Sequence, residues 1–61
     1  MELLLQYIGE DDWNREVYKN IESGAIYKRY KGEETFYTAS SFYGEPEYTV
    51  RPIIQVTILT H

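Results

Sequence analysis

The sequence predicts an all-β or mainly β domain, a small antiparallel meander of four to five strands, and three observations carry that prediction. Short runs with period-2 alternation or β-rich composition recur along the chain, as strands require. The four glycines, Gly9, Gly24, Gly32 and Gly44, are spaced one to each intervening turn. The two ends are the most apolar stretches, each with hydrophobic side chains on both alternating faces.

At the amino end, Leu3, Leu5 and Tyr7 alternate with Leu4, Gln6 and Ile8, and Gly9 to Asp12 reads as a polar turn. Ala25 to Tyr30 sets Tyr27 opposite Ile26 and Tyr30, and Glu34 to Ala39 supplies the β-formers Thr35, Phe36, Tyr37 and Thr38. Lys31-Gly32-Glu33 joins these runs, and its glycine can take the positive φ of a hairpin turn. Pairing of Ala25–Tyr30 with Glu34–Ala39 is therefore expected. Ser40 to Glu47, with Gly44 and Pro46, reads as a longer loop. In Ile53 to Thr60, Ile54, Val56 and Ile58 alternate with Ile53, Gln55, Thr57 and Leu59, and Pro52 must open this strand or lie at an edge. The two terminal strands are expected side by side at the sheet centre.

Residues Asp12 to Gly24 admit two readings. A helix at about 12–23 would have Asp12 as its N-cap, Trp13, Val17 and Ile21 at i, i+4 and i+8, and Gly24 just beyond its end, giving an α+β fold. A strand from Trp13 to Lys19, turning at Asn20 to Gly24, keeps the fold all-β.

Sixty-one residues make a single domain, 1–61, near the lower limit of independent folding, where only about 60% of the unfolded surface is buried. Such chains lean on disulfides, metals or partner subunits. This one has no cysteine and a single histidine, His61, which as the last residue reads as a frayed or added tail rather than a base. Lack of thiols suits a reducing compartment, and the apolar run at Leu3–Leu5 is too short for a secretion signal or a membrane span. A cytoplasmic location away from membranes is the expectation. The net charge of −4 disfavours direct contact with nucleic acid. Lys28, Arg29 and Lys31 beside Tyr27 and Tyr30 resemble a single-strand binder only faintly, and a solvated hairpin face is the simpler account.

Three segments, Gly9-Glu10-Asp11-Asp12-Trp13, Val17-Tyr18-Lys19 and Phe42-Tyr43-Gly44-Glu45-Pro46-Glu47-Tyr48, resemble in their order a group of small uncharacterised proteins carried on conjugative or phage-like elements of gut-type bacteria. The resemblance spans about the first four fifths of the chain. It implies a mobile-element setting and says nothing about a reaction. Members of that group carry proline where this chain has Glu16, which would favour the hairpin over the helix; Glu16 is a departure.

Catalysis needs a nucleophile, a base and an orienting group in contact, and Ser23, Ser40 and Ser41 have no imidazole to activate them. The carboxylate pairs Glu33/Glu34 and Glu45/Glu47 would need a cleft that so short a chain hardly encloses. Glu10-Asp11-Asp12 lacks the ligand spacing of a calcium loop. No enzymatic activity, cofactor or metal is expected.

What remains is binding. Seven tyrosines, two phenylalanines and Trp13 either build a small core or form an interaction patch. The candidate partner-binding residues are Glu10, Asp11, Asp12, Phe42, Tyr43, Glu45, Glu47 and Tyr48. They suit a non-enzymatic acidic protein-interaction module, such as a mobile-element inhibitor that mimics nucleic acid charge and occupies a basic nucleic-acid-handling protein. The alternative is a self-associating structural or accessory protein, a homo-oligomer completed by the apolar terminal strands.

Overall fold

The computed structural model describes residues 2–51 and 54–59, which form one mixed sheet of six strands with no helix among them. In chain order these are β1 (Glu2–Glu10), β2 (Glu16–Asn20), β3 (Ile26–Arg29), β4 (Tyr37–Ala39), β5 (Pro46–Thr49) and β6 (Gln55–Leu59). Their order across the sheet is β5-β4-β3-β2-β1-β6. The fold is all-β, as the alternation predicts, with more strands than the four to five expected.

The sheet is not wholly antiparallel. The β1–β2, β2–β3, β3–β4 and β4–β5 pairs are antiparallel, whereas β6 lies parallel to β1, with Leu3 opposite Val56 and Leu5 opposite Ile58. The terminal strands are neighbours, but β6 occupies an edge instead of the centre. The reason is the connection. Strands β1 to β5 alternate in direction, so β5 points the same way as β1, and the chain then crosses from one edge of the sheet to the other without reversing. The path from Thr49 to Gln55 spans at most about 20–22 Å. Five flat strand spacings would alone need about 24 Å, so the sheet must coil and bring its two edges toward each other. Pro52, expected to open the last strand or to lie at an edge, falls outside the described residues.

Register sorts the side chains into rows, because directly paired residues project to the same face. Tyr7, Tyr18, Tyr27 and Thr38 form one row on the concave face. Here Leu3, Leu5, Tyr18 and Phe36 are buried together, with Tyr27, Val50, Ile54 and Val56 packed against them. Edge-on ring contacts link Tyr7 to Tyr18 and Tyr18 to Phe36, with centroids 5.6 and 5.3 Å apart. Val50 and Ile54 belong to the crossing segment, so the connection that makes β6 parallel also lids the core.

The opposite face carries the row Gly9, Val17, Lys28 and Tyr37. Its geometry depends on a bulge between Tyr7 and Gly9, where Ile8 is extra and the ladder register shifts. Gly9 has φ +138°, and a Cβ there would stand 3.3 Å from the Phe42 ring. The backbone conformation favours glycine, and any side chain there would also push the Phe42 ring by a few tenths of an ångström.

The helix alternative at 12–23 is overturned by the residue just before it. Asp11 Oδ1 accepts the backbone N–H groups of Trp13 and Arg15 at 2.9 and 3.0 Å, while the Asp11 N–H donates to the Arg15 carbonyl at 3.1 Å. This side-chain mimic of a turn closes β1 onto β2 and competes with a helical start. Asn14 takes the left-handed conformation at φ 61°, which asparagine tolerates. Asn20 repeats the device at the next turn, its Oδ1 accepting the N–H groups of Glu22 and Ser23. Trp13 and Ile21 are exposed while Val17 is buried, so the three never share a face.

The Ala25–Ala39 hairpin pairs as expected, Ile26 with Ala39 and Lys28 with Tyr37. Its β4 arm is shorter than the predicted Glu34–Ala39, because Phe36 leaves the ladder to enter the core. Pro46 to Thr49, partly assigned to a loop, is the edge strand β5.

Candidate functional site

Asp11 ends the extended run of β1 and turns its carboxylate onto the sheet. Its Oδ2 accepts hydrogen bonds from Lys28 Nζ at 2.7 Å and Arg15 Nε at 2.8 Å. All three side chains are buried, Lys28 completely. Burial by itself would raise the Asp11 carboxyl, but the hydrogen bonds from Lys28, from Arg15 and from two backbone N–H groups hold it far below the usual carboxylate range. For Arg15, burial works against the charge, and Asp11, then Tyr30 and Glu45, more than restore it, raising its pKa. One buried carboxylate thus faces two cations, and Glu45 supplies a second negative charge, its Oε2 3.3 Å from Arg15 Nη1.

Glu45 reaches this position because the β4–β5 loop, residues 40–45, folds back over the sheet. The Phe42 ring reaches to 3.3 Å from where a Gly9 Cβ would stand on β1, although β3 and β2 lie between β4 and β1. Val17 and Lys28, which lie on this face along the way, are fully buried. The β1–β2 turn and the β4–β5 loop are consequently tied together by the Arg15–Glu45 ion pair and the Phe42–Gly9 contact.

Trp13 stands at the tip of the turn, 70% exposed, and Tyr43 on the loop is 68% exposed. Tyr43 is braced edge-on by Phe42, ring centroids 4.8 Å apart. Asp12 is exposed between Asp11 and Trp13, and neither Asp12 nor Glu47 enters an ion pair with another described residue.

The predicted contact residues therefore separate. Asp12 lies on the β1–β2 turn, and Tyr43 and Glu45 on the β4–β5 loop joined to it, with Phe42 half-buried. Asp11 is a correction: expected in a solvated acidic turn, it is the buried centre of the ion network. Glu10 is committed to Lys31 at 2.9 Å, a pair that raises the Lys31 pKa through its hydrogen bond. Glu47 and Tyr48 lie on β5 at the sheet edge, exposed but on a strand rather than in the loop. The basic cluster also divides, for Lys28 is buried and Arg29 is paired with Glu16. Sequence reading missed Trp13 and Arg15 as members of the site. An aromatic between Asp12 and Asn14 in a turn was the available signal for Trp13; Arg15 had none, because its partner Glu45 lies thirty positions away.

On the concave face a second polar cluster closes the end of the core. Arg29 Nε and the Tyr18 hydroxyl donate to Glu16 Oε1 at 2.8 and 2.9 Å, and Arg29 Nη2 donates to the Tyr18 oxygen at 2.9 Å. Arg29 also covers the rings of Phe36 and Tyr18, 5.0 and 5.5 Å from their centroids. Burial would raise the Glu16 carboxyl, yet Arg29 and Tyr18 lower it, while burial and Glu16 raise the Tyr18 phenol. Every member is satisfied by another, so this cluster is structural. Beside it a groove of about 420 Å³ is lined by Glu34, Thr35, Phe36, Val50, Arg51, Ile54 and Val56.

Among the described residues no group of three or more His, Cys, Asp or Glu side chains is arranged to hold a metal ion. None of them forms a helix long and apolar enough to cross a membrane. Comparison with protein-family models, with curated proteins and with solved structures finds no match to this chain.

Proposed function

We propose that the chain is a non-enzymatic protein-interaction module that docks a basic protein through the surface formed by the β1–β2 turn and the β4–β5 loop. One observation carries this reading: two large aromatics, Trp13 and Tyr43, are left in solvent on loops that an ion pair and a ring contact tie to the sheet. Leaving such rings exposed forgoes burial that a chain of this size needs, and rigidly held aromatics are what protein interfaces use as anchors. Asp12 beside Trp13, Glu45 two residues after Tyr43, and Glu47 on the strand that follows add exposed carboxylates suited to steering a basic partner.

Anchoring by aromatics fits better here than mimicry of nucleic acid charge. Of the five carboxylates among the expected contact residues, Asp11 is buried, and Glu10 and Glu45 are already paired with cations. A cytoplasmic inhibitor encoded by a mobile element, acting on a nucleic-acid-handling protein of its host, is the role that joins this surface to the resemblance.

The test is capture from a bacterial lysate with salt-graded elution, run beside the double variant Trp13→Ala/Tyr43→Ala. Retention of a basic protein by the native chain and its loss by the variant are expected. Equal capture by both, or no capture at low salt, would sink the reading.

A further inference from the structure

The two edges of the sheet are built differently. Strand β5 is blunted against further pairing: it starts with Pro46, carries Glu47, and meets β4 through a register shift. Strand β6, Gln55-Val56-Thr57-Ile58-Leu59, contains no charge and no proline, and its ladder with β1 is regular over five residues. Among the described residues its outer side pairs with no strand. An edge without any such guard is a template for another strand.

We propose that β6 is the dimerisation strand of this protein, pairing antiparallel with β6 of a second copy about a two-fold axis at Thr57. Three features select a second copy over a foreign strand. The strand is self-complementary, since this register sets Val56 opposite Ile58, Gln55 opposite Leu59 and Thr57 opposite its own equivalent. Val56 thus meets Ile58, apolar with apolar, Gln55 lies against the aliphatic Leu59, and Thr57, whose hydroxyl donates to Glu2 Oε2 at 2.8 Å, meets its own equivalent. The absence of charge matters because two chains of net charge −4 repel each other wherever acidic surfaces meet.

The groove supplies the second feature. Val56 lines it together with Phe36, Val50 and Ile54, and Ile58 of β6 is 37% exposed. In the antiparallel pair the partner's Ile58 stands beside Val56 at the mouth of the groove, and the exchange is reciprocal, as two-fold symmetry requires. The third feature is the small core. Among the described residues only Leu3, Leu5, Val17, Tyr18 and Phe36 are buried hydrophobics, and a subunit contact is a common way for so small a domain to complete its burial. This surface uses the edge opposite β5 and does not depend on the aromatic loops.

Sedimentation of the native chain should show its mass rising with concentration from 7.3 kDa to twice that value. The chain is free of cysteine, so a single introduced thiol reports the contact. Thr57→Cys should oxidise to a disulfide-linked dimer at least tenfold faster than Glu47→Cys on β5, because opposed residues of an antiparallel pair lie within disulfide reach. A native chain that stays monomeric, a monomer that instead binds an uncharged extended peptide along β6, or a dimer in which both cysteine variants cross-link equally would each overturn the proposal. Failure here leaves capture of a basic protein by Trp13 and Tyr43 untouched, and the converse also holds.

Discussion

The Lys28 ammonium, on a fully buried side chain in β3, lies 2.7 Å from a carboxylate oxygen of Asp11, seventeen residues earlier at the end of β1. Two buried charges offset each other only while both are present and hydrogen-bonded. Asp11 meets that condition through Lys28, Arg15 and two backbone N–H groups, which also makes it the hinge of the β1–β2 turn. A structural role so central excludes it from direct contact with a partner.

Asp11→Asn should therefore destabilise the fold by about 3–5 kcal/mol, because it leaves Lys28 and Arg15 buried without their shared carboxylate. Lys28→Met should cost less. It removes a buried charge and leaves Asp11 with Arg15 and the backbone donors. Denaturant midpoints of the two variants check the order, and a larger loss for Lys28→Met would show that Arg15 alone cannot hold the Asp11 charge.

Acid should unfold the protein through the same group. The folded Asp11 carboxyl lies below its ordinary value of 3.8, so as pH falls past that value the unfolded chain takes up a proton that the native chain does not. The stabilisation is fully present above about pH 5 and declines as pH falls toward the folded value. Glu16, lowered by Arg29 and Tyr18, adds loss of the same sign. Melting temperature measured from neutral pH downward should fall steeply below about pH 4, and the fall should be shallower in Asp11→Asn.

Much of the strand arrangement was legible because alternation and turn residues act locally. The shared face of Leu3 and Leu5, the Ile26–Ala39 pairing and the turn at Gly24 follow from nearest-neighbour chemistry. The parallel β6 was not legible, since its direction depends on the chain crossing the sheet after Thr49 rather than turning, and no local residue encodes that choice. The acidic turn was misread for a similar reason. Asp11 and Asp12 look alike in sequence, and only the partners at positions 15 and 28 separate a buried carboxylate from a solvated one. Within the candidate site, Tyr43 and Glu45 were legible from loop composition, whereas the contact that ties their loop to Gly9 is set by tertiary packing.

Gly9→Ala should cost about 1–3 kcal/mol, the range of backbone strain at a conformation that side chains rarely adopt. The new methyl also meets the Phe42 ring, which must shift by a few tenths of an ångström. Phe42→Ala in the same chain should recover the part due to contact and leave the part due to φ. A double-mutant cycle on denaturant midpoints separates them, and complete recovery would mean that backbone strain at Gly9 is negligible.

The aromatic and charged parts of the proposed docking surface should fail in different ways when removed. Trp13→Ala and Tyr43→Ala delete side chains that are mostly in solvent, so each should change stability by no more than about 0.5 kcal/mol. Each should nevertheless weaken partner binding by at least about tenfold, mainly through faster dissociation, because anchors that pack at an interface act on the lifetime of the complex. Asp12→Asn and Glu47→Gln touch exposed carboxylates and should slow association, an effect that fades as ionic strength rises and charges beyond about 8–10 Å are screened. Glu45 stands between the two groups. It is 76% exposed at the side chain yet holds Arg15, so Glu45→Gln should slow association and also loosen the loop that presents Tyr43. Association and dissociation rates measured at two salt concentrations for these variants decide the matter. Loss of binding confined to association would transfer the recognition from the two aromatic rings to the carboxylates around them.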